Sequence, residues 1–126
     1  MEKKPIQTPN APSAIGPYSQ AIRIGEFLYT SGQIALDPET MEMMNGEIEQ
    51  ETELVLKNVE AILKAGNMNL GHVVKTTVYL TDLGEFTRMN QVYEKFFAET
   101  KPARACVQVA ALPKGAKVEI DAIAHT

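Results

Sequence analysis

The residues able to do chemistry gather near the C-terminus, in the run Pro102-Ala103-Arg104-Ala105-Cys106-Val107-Gln108-Val109 and in Lys117-Val118-Glu119-Ile120-Asp121. Both runs read as strands, and the connection Ala111-Leu112-Pro113-Lys114-Gly115-Ala116 reads as a hairpin loop joining them. Side chains alternate along a strand, so Arg104, Cys106 and Gln108 share one face, as do Lys117, Glu119 and Asp121. Ala105, Val107 and Val109, with Val118, Ile120, Ala122 and Ala124, form the apolar faces. The expected hairpin thus turns one side to a core and carries a guanidinium, a thiol, an amide and carboxylates on the other. Such a face is either solvated or a small site built to hold a carboxylate and to position a water.

The remaining elements must position these groups. Ser19 to Ile24 and Phe27 to Ser31 read as two strands, with Gly25-Glu26 as a two-residue turn. Residues 5–17, rich in Pro, Ala and Ser, read as an ordered arm or a loop. The spacing of Ile48, Thr52, Val55, Leu56, Val59, Ile62 and Leu63 predicts a helix over 46–66 that stops at Gly66. Its first turns carry Glu47, Glu49, Glu51 and Glu53, expected as a solvated face favoured by the helix dipole. Residues 73–80 are β-branched and predict a strand. Asp82, with Glu85 three residues on, resembles the capping box of a second helix. The apolar stripe of that helix is Phe86, Met89, Tyr93, Phe96 and Phe97, and it includes Asn90, which needs a partner if buried. The order β-β-α-β-α-β-β predicts a two-layer α/β sandwich, both helices on one side of a mixed, mostly antiparallel sheet, with Arg104, Cys106 and Glu119 on its free face.

Composition bounds the function. The chain has 126 residues, enough for one domain with a single core, residues 1–126. Twelve Lys and Arg against sixteen Asp and Glu leave a net charge of −4, which disfavours nucleic acid and anionic membranes as partners. No apolar run approaches a membrane span, and no apolar segment follows the charged N-terminus as a secretory signal would require. The single cysteine fits a reducing compartment, so a cytoplasmic setting is expected. His72 and His125 lack ligand spacing, so no metal site is expected.

Gly16-Pro17-Tyr18-Ser19-Gln20, Thr30-Ser31-Gly32-Gln33-Ile34, Val74 through Leu80, Asp82-Leu83, Pro102 through Cys106, and Ala111-Leu112-Pro113-Lys114 through Ile120 together resemble the RidA/YjgF family. Each motif is short, but they occur in the family's order and span about residues 10 to 124. The resemblance implies a chorismate-mutase-like fold, a homotrimer whose sheets form a central barrel, and ligand clefts between subunits. It also implies an enamine/imine deaminase, independent of metal or organic cofactor, that hydrolyses 2-aminoacrylate and related 2-imino acids to 2-oxo acids and ammonia. On it, Arg104 binds the substrate carboxylate, Glu119 orients or activates water, and the backbone of Cys106 contacts the imine nitrogen, while Tyr18, Ser31, Gly32 and Asn90 line the cleft. A non-catalytic ligand-binding, regulatory or chaperone-like trimer using the same cleft is the alternative; ribonuclease activity fits the acidic chain less well. Many members carry Glu at the position of Gln108 and Arg at that of Ala111, a departure expected to bear on assembly rather than chemistry.

Overall fold

The computed structural model describes residues 2–126. Six strands form one mixed sheet: β1 (Lys3–Ile6), β2 (Ala21–Ile24), β3 (Phe27–Thr30), β4 (Val73–Leu80), β5 (Ala103–Gln108) and β6 (Val118–His125). Two helices, α1 (Ile48–Ala65) and α2 (Phe86–Phe97), cover one face of it. The spatial order is β1-β2-β3-β6-β4-β5, antiparallel throughout except for the parallel pair β4 and β5. The two-layer expectation holds, with one strand more than anticipated: Lys3–Ile6 pairs with β2, whereas residues 5–17 had read as an arm or loop. Among the described residues, no helix is long and apolar enough to cross a membrane.

The core lies between the helices and the inner sheet face. The inward positions of β6 are Val118, Ile120, Ala122 and Ala124, against Val55, Leu56, Val59, Ile62 and Leu63 of α1. Every residue of the expected α1 stripe is buried. Gly25 adopts φ +58 between the paired residues Ile24 and Phe27, which gives the two-residue turn its hand. Gly66 ends α1 for a different reason from the one expected. Its φ is −93, and the left-handed residue is Asn67. A Cβ at Gly66 would overlap the Leu28 side chain, so close packing of the helix end on β3 sets the requirement.

The acidic start of α1 also departs from expectation. Glu47 and Glu49 are clamped by Arg88 of α2 at 2.7 and 2.8 Å. Glu51 is buried, 1% exposed, and its Oε1 accepts a hydrogen bond from the Lys117 amide at 2.9 Å. Three of the four glutamates therefore tie α1 to its neighbours. Burial pushes the Glu51 carboxyl above its ordinary value.

The strand order overturns the expected C-terminal hairpin. β4 lies between β5 and β6, and the 111–116 connection, which contains a short 3-10 turn at Pro113–Gly115, crosses it. In the parallel register Thr76 is opposite Arg104 and Val78 opposite Cys106. Thr76 and Val78 are buried beneath the helices, so Arg104 and Cys106 point to the helix side. Glu119 lies opposite Tyr79 and alternates with buried Val118 and Ile120, so it points to the open side. Arg104 and Glu119 do not share the free face; they stand on opposite sides of the sheet.

Candidate functional site

Arg104 sits on β5, one of the two edge strands of the sheet, next to α2. Its Nη1 donates to Asn90 Oδ1 at 2.6 Å, and its guanidinium carbon lies 4.7 Å from the centre of the Tyr93 ring and 5.2 Å from that of Phe86. Two aromatic faces fix the plane of the cation and the amide fixes its rotation. Tyr93 is itself anchored by a 2.7 Å hydrogen bond between its hydroxyl and Thr76 on β4. The polar residue on the apolar stripe of α2 thus finds its partner in the arginine. These partners are all neutral, and Arg104 makes no ion pair within 4.0 Å among the described residues. Its positive charge and most of its five N–H donors remain available to a ligand anion. The adjoining groove, about 580 Å³, is lined by Asn90, Tyr93, Glu94, Lys101 and Pro102 as well as Arg104, with the Glu94 carboxylate more than 4.0 Å from the guanidinium.

Cys106 follows on the same face, half-buried against the core. Burial pushes its thiol above the ordinary value despite the opposing effect of Arg104, which disfavours a thiolate nucleophile. As an edge strand, β5 directs part of its backbone away from the sheet, so backbone contacts at this position are open to a ligand or a partner. Gln108 ends the strand, and its Oε1 accepts from the Leu83 amide at 2.9 Å. It lies on the helix-side face with Arg104, not on the free face, and closes the turn that leads into α2.

Glu119 anchors a second, separate cleft of about 310 Å³ with Tyr18, Gly32, Ile15, Pro113 and Lys114. Gln33 and Ile120 exchange backbone hydrogen bonds of 2.9 and 3.1 Å, which brings the Ser31-Gly32-Gln33 segment against β6. Gly32 lies directly over the carboxylate, and a Cβ there would come within 2.8 Å of Glu119 Cδ. Ser31 Oγ donates to the Ser19 carbonyl at 2.5 Å and so ties the end of β3 to the loop bearing Tyr18. Tyr18 is 55% exposed at the mouth of the cleft.

The carboxyl of Glu119 is raised above its ordinary value, first by burial and then by the nearby Asp121. Asp121 is raised as well, chiefly by burial. In both cases the folded chain keeps a proton that the unfolded chain releases. Stability is therefore lost as pH rises from the ordinary carboxylate range through the raised values.

The seven sequence-derived site residues thus fall into two groups. Arg104, Asn90 and Cys106 lie on the helix-side edge, and Tyr18, Gly32 and Glu119 line the cleft on the other side; Ser31, next to Gly32 in the chain, does not line it and bonds the Ser19 carbonyl instead. Sequence reasoning missed the aromatic clamp of Phe86 and Tyr93. Its signal was the spacing Phe86, Asn90, Tyr93, which puts an amide between two rings on one helical face.

Comparisons with known proteins agree with this architecture. The family profile described as "Endoribonuclease L-PSP" matches residues 8–126. The protein DfrA of Myxococcus xanthus is 52% identical over 126 residues, covering 98% of this chain and 96% of its own. The mouse 2-iminobutanoate/2-iminopropanoate deaminase is 48% identical over 122 residues, covering 97% and 90%. Among solved structures, Escherichia coli TdcF with bound serine superposes with a TM-score of 0.93 at 46% identity, covering 98% of each chain. With the profile running through both clefts and relatives near half identity over almost the full length, the chain belongs to the YjgF/RutC/RidA family.

Proposed function

We propose that this protein is a cofactor-independent 2-imino acid deaminase, a homotrimer in the cytoplasm, whose active sites each take Arg104 from one copy and Glu119 from another. The observation that carries the reading is the state of Arg104: a guanidinium oriented by one amide and two rings, with its charge uncompensated. That is the preparation needed to grip a small carboxylate with two parallel hydrogen bonds. The raised carboxyl of Glu119 supports the rest, since a base nearer neutrality can both take and return a proton. The relatives named as 2-iminobutanoate/2-iminopropanoate deaminases and the serine bound to TdcF point to the same ligand class, a small 2-amino-acid skeleton.

In this reading Arg104 fixes the substrate carboxylate and so places the imine carbon, which removes orientational entropy from the barrier. Glu119 of the neighbouring copy directs a water at that carbon. The water oxygen bonds to C2, the C=N electron pair moves to nitrogen, and Glu119 accepts the water proton. Glu119 hands that proton to the nitrogen, the C–N bond breaks, and ammonia leaves as the hydroxyl proton passes back to Glu119, which releases it to solvent. The backbone of Cys106 contacts the imine nitrogen, and Tyr18, Ser31, Gly32 and Asn90 shape the cleft. A polyanionic RNA substrate suits the net charge of −4 less well.

The test pairs assembly with turnover. Sedimentation at micromolar concentration gives a mass near three chains, and the protein accelerates decay of 2-aminoacrylate released by a pyridoxal-phosphate-dependent dehydratase. A stable monomer sinks the shared site, because Arg104 and Glu119 of a single copy cannot reach one substrate. A trimer that binds 2-oxo acids without accelerating hydrolysis leaves the non-catalytic reading in force.

A further inference from the structure

Glu119 has a charged neighbour that the mechanism above does not use. Asp121 lies two residues along β6 on the same face, and both carboxylates are half-buried. Tyr79 of β4 stands opposite Glu119 in register and reaches diagonally to Asp121, its hydroxyl donating to Oδ2 at 3.3 Å. Thr77 lies opposite Asp121. The other titratable groups facing them are Lys75 of β4, near Asp121, Tyr29 of β3, opposite Ile123, His125 at the far end of β6, and Tyr18 and Lys114, which line the Glu119 cleft from the loops. Neither lysine pairs with either carboxylate within 4.0 Å among the described residues. The helices lie on the opposite face. Asp121 is absent from the residues lining the Glu119 cleft, so it is placed to act on Glu119 and not on a ligand there.

The structure assigns Asp121, anchored by Tyr79, as a positioning residue that acts on imine hydrolysis through Glu119, an assignment that rests on the deaminase reading above. Two like charges on one half-buried strand face oppose each other's ionisation. With Asp121 charged, Glu119 holds its proton more strongly once it has one, and it is a better base toward water for the same reason. The Tyr79 hydroxyl favours the charged form of Asp121 and points it. Burial and the two carboxylates raise the pKa of Tyr79, which keeps it a donor across neutral pH.

The decisive experiment follows the Glu119 side-chain carboxyl by carbon NMR across pH, alongside the pH dependence of kcat/KM, in the wild type, Asp121→Asn and Asp121→Glu. Asparagine keeps the size of Asp121 and an acceptor for Tyr79 while removing the charge. Both the Glu119 titration and the acid limb of kcat/KM shift to lower pH in Asp121→Asn and return toward wild type in Asp121→Glu. In the wild type itself, coupled carboxylates titrate with two inflections at each carbon. A single inflection at Glu119 there, or a Glu119 titration unmoved in Asp121→Asn, overturns the assignment whether or not the variant folds well. A wild-type protein without deaminase activity instead sinks the deaminase reading, and the carboxyl titration then still decides whether Asp121 acts on Glu119.

Discussion

Glu119→Gln lowers the rate of imine hydrolysis by about 10²-fold or more, the usual cost of a lost acid/base group. The substitution keeps the length and shape of the side chain, so it still fits beneath Gly32, where there is no room for added bulk. It also relieves the cost of holding a charge beside Asp121, so folding and assembly are unharmed. The loss therefore appears in kcat, while binding of a 2-oxo acid such as pyruvate, which needs only the arginine, stays close to wild type. Wild-type activity also falls on the acid side as Glu119 takes up a proton. Because its value is raised, that fall begins above the ordinary glutamate range, and Glu119→Gln abolishes it. Cys106→Ala retains most activity, because the proposed mechanism engages only the backbone at that position and partial burial raises the thiol above its ordinary value. Steady-state kinetics on the dehydratase-coupled reaction checks all of these. A fully active Glu119→Gln, or an inactive Cys106→Ala, removes Glu119 from the chemistry or brings thiol chemistry in.

Arg104→Lys weakens 2-oxo acid binding by about 10- to 10²-fold, corresponding to about 1.5–3 kcal/mol for a lost charge-assisted hydrogen bond. Lysine preserves the charge but offers no planar fork for two parallel bonds. It also presents no flat cation to sit against Tyr93 and Phe86, so the rings cannot fix its direction as they do for Arg104. Calorimetric titration with 2-oxobutyrate measures the change. Equal affinity in wild type and variant shows that Arg104 is not the anchor. Unlike the Glu119 substitution, this one weakens binding and turnover together, since both depend on the carboxylate grip.

Local patterns in the sequence were reliable where a single element decides the outcome. The stripe of α1 is buried at every anticipated residue, and Val73–Leu80 forms a strand with the expected bounds. Gly25 sits at the turn its spacing required. What escaped were the choices made between distant elements. The Pro- and Gly-containing 111–116 segment reads as a hairpin locally, yet β6 pairs with β3 and β4, and the parallel register of β5 on β4 decides the direction of Arg104. Alternation gives two faces for each strand but does not say which face of one joins which face of another. Glu51 looked like a solvated residue because its partner, the Lys117 amide, is 66 positions away. Lys3–Ile6, with two lysines and a proline, carries the composition of a protected sheet edge and so little strand signal. The candidate site residues were chosen by type and motif, while their division into two groups depended on strand order.

That division has a genetic consequence. A chain disabled at Arg104 still carries an intact Glu119 cleft, and a chain disabled at Glu119 still carries an intact arginine clamp. If copies form a ring with centres shared at each junction, as proposed above, and both defective alleles are expressed together, each junction that sets the sound half of one against the sound half of the other regains a complete centre. Random mixing in equal amounts restores about a quarter of the junctions, by the head-to-tail geometry of a closed ring. Two alleles that are each null alone are then active as a pair, whereas one chain bearing both defects rescues neither.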